Sequence, residues 1–130
     1  DVKRRISRVF VATETKEPTK IIGYYTLSAL SVDLSSLPPK LAKKLPRHPI
    51  PAALLGRLAV SEENEKQGIG EMLLADAVKR CLAVGEEIAI YALIVDPIDS
   101  KAAAFYKKFG FLTFGKDKKR LFLPLKAFAK

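Results

Sequence analysis

The sequence has 130 residues, 48% of them hydrophobic, and 23 Lys and Arg against 14 Asp and Glu give a formal charge of +9. That length predicts one domain over 1–130 with a core of its own, while one cysteine and one histidine exclude a disulfide framework and a structural metal cluster. The longest apolar run, IAIYALIV, is too short to cross a bilayer, so a soluble, cytoplasmic protein is expected, and the positive balance favours RNA, an anionic cofactor or an acidic protein as partner.

RVFVATE (8–14) has the β-branched and aromatic content of a strand. KIIGYYTLSALSV (20–32) follows as a longer one after the KEPTK turn, so the two read as a hairpin. Residues 33–51 contain five prolines, which argue against regular structure beyond one short helical turn near 40–45. Loops of that length in compact domains often carry function. AALLGRLAV (52–60) is apolar enough for a strand covered on both faces.

From Ile69 the apolar positions Leu73, Ala77, Cys81 and Val84, with Met72, Leu74 and Val78 beside them, keep helical spacing until Gly85. Cys81 lies on the apolar face and reads as core. Lys79 and Arg80 suit the negative end of the helix dipole. IAIYALIV (88–95) is the next strand. SKAAAFYKKFGF predicts a helix capped by Asp99 or Ser100 and stopped by Gly110. FLTFG and LFLPL complete a hairpin across KDKKR. The order predicts an α/β fold: a mixed, mostly antiparallel sheet with flanking helices.

Between the third strand and the long helix stands EKQGIG. Glycine lets backbone N–H groups approach a ligand, and a helix start offers unpaired donors with about half a positive charge. The loop is not that of a nucleotide hydrolase, because no GK[ST] follows it, and GxGxxG fails because Leu73 holds the last position. What remains is a phosphate cradle without a Mg²⁺ ligand, fitted to a cofactor that is carried rather than hydrolysed.

LGRLAVSEENEKQGIGEMLLADAVKR followed by AAAFYKKFGF resembles the central motifs of the GNAT superfamily of acetyl-CoA-dependent N-acetyltransferases. The likeness runs from about residue 8 to 125 and begins after the superfamily's usual first strand and first helices. It implies acetyl-CoA as co-substrate and no metal. Leu58, Ala59 and Val60 would pair with the pantetheine arm, and Lys66, Gln67, Gly68, Ile69, Gly70 and Glu71 would hold the pyrophosphate, with Phe105 packed nearby. Glu65 departs from the pattern, which has Gln or Arg there. An acidic side chain repels a pyrophosphate, so it either points away or weakens the cofactor.

PIPAALLGRLAV, the basic Pro-rich loop, GYYTLSALSV, AAAFYKKFGF and RLFLPLK together are similar to the GNAT toxins of bacterial toxin–antitoxin modules. Those toxins acetylate the amino group of aminoacyl-tRNA and block translation. The resemblance implies aminoacyl-tRNA as acceptor, an antitoxin partner of ribbon-helix-helix type, no membrane, and leaves a homodimer open.

In that chemistry the backbone N–H of Val60 or Ala59 would hold the acetyl oxygen, and Tyr106 would protonate the departing sulfur. No obvious base is offered: Arg57 takes the strand position where a carboxylate could serve, and His48 lies in the proline loop. An α-amine with a pKa near 7.7–8.0 needs a base less than a lysine near 10.4 does. Arg57, Lys43, Lys44, Arg47 and Lys101, with Lys107 and Lys108, are candidates for tRNA phosphates. The rival readings are a GNAT enzyme acting on a protein N-terminus, lysine or small amine, and a non-catalytic basic nucleic-acid-binding domain.

Overall fold

A computed structural model describes residues 7–32, 50–84, 90–113 and 119–125. The first two apolar runs form β1 (Ser7–Thr13) and β2 (Ile21–Val32), an antiparallel hairpin with Phe10 opposite Tyr25 and Ala12 opposite Gly23. β3 (Ile50–Val60) lies antiparallel to β2 along its length. After a short 3-10 turn (Glu62–Asn64), α1 (Ile69–Val84) carries the chain back over the sheet to β4 (Ala92–Val95). β4 is the parallel neighbour of β3, and such a pairing requires a crossover of this kind.

The second crossover contains α2 (Ser100–Lys108). Asp99 caps it, accepting the Ala102 N–H at 2.8 Å. At its end Gly110 takes φ 101°, and the Gly110 and Phe111 amides donate back to the Lys107 and Tyr106 carbonyls. This is the paired arrangement in which glycine terminates a helix. β5 (Leu112–Thr113) and β6 (Leu121–Pro124) are antiparallel to each other. The described strands form a six-stranded sheet in the order β1-β2-β3-β4-β6-β5, so the mixed, mostly antiparallel expectation holds, with β3–β4 its parallel pair.

Alternate residues of the central strands feed two cores. On the helix-covered face Tyr25, Leu55, Leu93, Val95, Leu121 and Leu123 pack against Leu73, Leu74, Ala77 and Cys81 of α1 and Tyr106 of α2. On the other face Val32, Ala52, Leu54, Ile94 and Phe122 form a smaller cluster. Burial on both faces is why these strands read as continuous apolar runs. β4 is shorter than the predicted strand: Ile90 and Tyr91 precede it without strand structure, and the earlier part of that run lies outside the described residues. The Pro-rich stretch lies outside them too, except that Ile50 and Pro51 open β3.

Candidate active site

The site begins with an irregularity in β3. Tyr25 pairs with Leu58 and Leu27 with Leu55, so Gly56 and Arg57 together face Thr26, a β-bulge. Glycine fits because a Cβ at position 56 would stand 2.7 Å from the Thr26 hydroxyl. That hydroxyl accepts the Arg57 N–H at 2.9 Å. Pairing with β4 ends at Leu55 and Val95, just before the bulge. Beyond it the β4-facing edge of β3 has no strand partner among the described residues.

The direction of the amides on that edge follows from alternation. The Ser61 N–H donates to the Ile22 carbonyl on β2 at 2.9 Å. Successive amides of a strand point to opposite edges, so Ala59 also faces β2, and the Leu58 and Val60 N–H groups face the open edge. Of the two donors predicted for an acetyl oxygen, Val60 is the one aimed outward.

The glycine loop sits beside this edge. Ser61 Oγ donates to Asn64 Oδ1 at 2.6 Å and Asn64 Nδ2 donates to Gln67 Oε1 at 3.3 Å, a chain that ties the end of β3 to the start of α1. The loop takes two left-handed residues, Lys66 at φ 69° and Gly68 at φ 77°. A Cβ on Gly68 would meet nothing within 4 Å, so this glycine borders open space. Gly70 has no positive φ, and its added Cβ would lie 3.6 Å from Phe105 and 3.9 Å from Leu58. Loop, β3 and α2 therefore converge at Gly70.

The Met72 N–H donates to the Gly68 carbonyl at 3.1 Å. The amides of residues 66–71 have no acceptor among the described residues. Unpaired donors at the start of a 16-residue helix, with the dipole's positive end, suit an anion. The side chains around them are mixed. Lys66 is exposed; Glu65 and Glu71 are exposed as well, and Glu63 is occupied by Lys20 at 3.0 Å. A diphosphate fits the backbone of this loop better than its side chains.

Tyr106 lies in the core beneath, 8% exposed, with Phe105 and Phe111 packed edge-on at 5.2 and 5.3 Å. Burial pushes its phenol above its ordinary pKa, keeping it protonated at neutral pH. Its hydroxyl makes no hydrogen bond to a described residue, yet no side-chain oxygen or nitrogen among them is both sealed from solvent and unpartnered. The hydroxyl therefore reaches accessible surface. Cys81 is buried, its thiol pushed up to about 11, and offers no thiolate nucleophile.

Arg57 and Lys101 are exposed, at the bulge and in the first turn of α2. Lys43, Lys44, Arg47 and His48 fall outside the described residues. β2, β3 and β4 carry no Asp, Glu or His, in keeping with the absence of an evident base. No described group of three or more metal-ligating residues exists, and no described helix is long and apolar enough to cross a membrane.

Two features escaped the sequence reading. The bulge was signalled by glycine inside an apolar run. The other is a polar cluster on the flank of α1, where the side chains of Asp76 and Arg80 are 46% and 49% exposed. Tyr25 Oη donates to Asp76 Oδ2 at 2.5 Å, and Arg80 Nε donates to both Tyr25 Oη at 2.8 Å and Asp76 Oδ2 at 3.1 Å. Arg80 thus has specific partners beyond the helix dipole. The hydrogen bond from Tyr25 holds the Asp76 carboxyl below the usual carboxylate range, whereas burial raises the Tyr25 phenol.

Comparison with known proteins bears on this geometry. The family described as an acetyltransferase (GNAT) domain matches residues 5–112. A tRNA-acetylating toxin of Mycobacterium tuberculosis is 34% identical over 120 residues, covering 92% of this chain and 70% of the toxin. The toxin AtaT complexed with acetyl-methionyl-tRNAfMet superposes with a TM-score of 0.88 at 32% identity, over 95% of this chain and 74% of that one. A tyrosine-to-phenylalanine variant of AtaT, bound to the C-terminus of the antitoxin AtaR and acetyl-CoA, gives 0.77 at 28% identity, over 93% and 69%. With the family match spanning most of its length and a relative 34% identical over 92% of it, the chain belongs to the GNAT family of acetyltransferases.

Proposed function

We propose that this protein transfers an acetyl group from acetyl-CoA to the α-amino group of an aminoacyl-tRNA, acting in the cytoplasm as a translation-blocking toxin that an antitoxin neutralises. The observation that carries the cofactor half is the convergence at Gly70. The segment with the unpaired amides of residues 66–71 meets the strand carrying the outward amides of Leu58 and Val60 there, a Cβ on Gly70 lying 3.9 Å from Leu58. The acceptor half rests on the likeness to the mycobacterial toxin and AtaT and on strands without a general base, which suits an amine already neutral near pH 8.

Bound acetyl-CoA would supply a thioester whose carbonyl carbon an amine can attack, with cleavage of the C–S bond. The Val60 N–H would donate to the carbonyl oxygen as it gains charge. Tyr106 would pass its proton to the departing sulfur and recover one from the acylated amine through solvent. Residues 66–71 would hold the diphosphate by backbone donors. Arg57 and Lys101, with Lys43, Lys44 and Arg47 of the Pro-rich stretch, would meet tRNA phosphates. On family resemblance alone, the antitoxin is of ribbon-helix-helix type.

The test incubates the purified chain with acetyl-CoA and a charged tRNA pool and identifies products by mass spectrometry. Acetylated aminoacyl-tRNA is the expected product. Acetylated protein with untouched tRNA would replace this reading by that of a protein acetyltransferase.

A further inference from the structure

The cofactor reading divides the site between two elements. The start of α1 would take the diphosphate, and the open edge of β3 would take the acyl arm. The apolar contacts of Leu73, Leu74, Ala77 and Cys81 hold α1 to the sheet, but such contacts are not directional. Their interdigitation fixes the helix's position only in part, and directional contacts add to it.

Tyr25, Asp76 and Arg80 are directional. Tyr25 is 1% exposed and lies opposite Leu58, the first paired residue past the bulge. Its hydroxyl gives its one proton to Asp76 and accepts from Arg80. Arg80 also bonds Asp76 one turn away, and its guanidinium lies 4.1 Å over the ring of Phe10. Phe10 in turn stacks on Tyr25 at 5.1 Å. The three polar groups thus bond one another across α1 and β2, with the Phe10 ring of β1 packed against them and with charge-assisted bonds whose geometry is narrow. Asp76 is five residues past Glu71, roughly 8 Å down the helix axis from the unpaired amides.

We infer that Tyr25, Asp76 and Arg80 are positioning residues that fix the spacing between the diphosphate cradle at the start of α1 and the acyl-binding edge of β3. The inference rests on the acetyl-CoA reading of the site. A ligand held at both points gains from their fixed separation as a tethered pair does, whereas a ligand held at one point gains nothing from it.

Calorimetry with coenzyme A and with its nucleotide half, ADP-3′-phosphate, separates the two cases. Tyr25→Phe keeps the buried ring, and Asp76→Asn serves if the first variant unfolds; thermal melts establish that each is folded. Either variant is expected to weaken coenzyme A about 10-fold while ADP-3′-phosphate stays within about twofold of the parent protein. Equal weakening of both ligands, or weakening of neither, would overturn the positioning role and leave the cluster as a packing feature. A parent protein that binds no coenzyme A would instead remove the acetyl-CoA reading, and this inference with it.

Discussion

Within β3, residues 52–55 pair with β2 on one side and β4 on the other, and Ala52, Leu54 and Leu55 are buried. Residues 58–60 pair with β2 alone and stay half-buried. Both halves are apolar, so hydrophobicity does not distinguish a closed ladder from an edge left for a ligand. The difference comes from the extra residue at Gly56 and Arg57 and from β4 ending at Val95. An apolar edge held open beside a helix start is disposed for binding, because its unpaired amides can meet a ligand.

Proline substitution would break this comparison most sharply. Val60→Pro removes an amide directed at the open edge, where no ladder bond is lost. The chain should remain folded while kcat falls by about 10²–10³, the usual loss when one oxyanion donor is deleted. Ala59→Pro removes an amide directed at β2 and should lower Tm by an amount equivalent to about 3 kcal/mol. Full turnover in Val60→Pro would show that this donor is not used.

Tyr106→Phe should come next, with kcat down about 10²-fold and coenzyme A affinity within about twofold of the parent in calorimetry. Burial raises the phenol, so the proton it donates is present throughout neutral pH and lost only as pH climbs beyond the ordinary tyrosine value of about 10. In the parent protein kcat/KM should therefore rise as the acceptor amine deprotonates near pH 8 and hold level to about pH 10. A fall setting in below pH 9 would assign the proton to another group.

Much of the closed half could be read from the sequence, and less of the open half. Continuous apolar runs with helical or strand spacing located β2, β3, α1 and α2 because burial on both faces, or along one helical stripe, determines composition directly. Asp99 and Gly110 marked the ends of α2 for local chemical reasons. The outward direction of the Val60 amide depends on register with β2, which no single segment encodes. The Tyr25–Asp76–Arg80 cluster joins residues 51 and 55 positions apart. Only its Asp76–Arg80 pair, four residues apart on one helix, had a local signature.

A smaller effect tests what holds the bulge. Thr26→Val deletes the hydroxyl that accepts the Arg57 N–H while keeping the side chain's shape, and should cost about 1 kcal/mol in denaturant unfolding. Thr26→Ser keeps the acceptor and should recover most of that loss. A valine variant as stable as the parent would mean that Gly56 and the register alone maintain the bulge.

The smallest effect concerns Glu65, whose side chain makes no hydrogen bond or ion pair among the described residues, while its neighbour Glu63 is held by Lys20. It is exposed and lies between the 3-10 turn and the unpaired amides, close enough to act on a diphosphate through water. A unit charge about 6 Å away in bulk solvent contributes about 0.7 kcal/mol, or about threefold in affinity. Glu65→Gln should therefore tighten coenzyme A about threefold at low salt, with the gain shrinking as ionic strength shortens the screening length. Glu63→Gln should give a smaller gain, because Lys20 already offsets that charge. Affinity unchanged in Glu65→Gln across salt concentrations would mean that the carboxylate turns away from the cradle, and that the loop binds its anion through backbone donors without a nearby penalty.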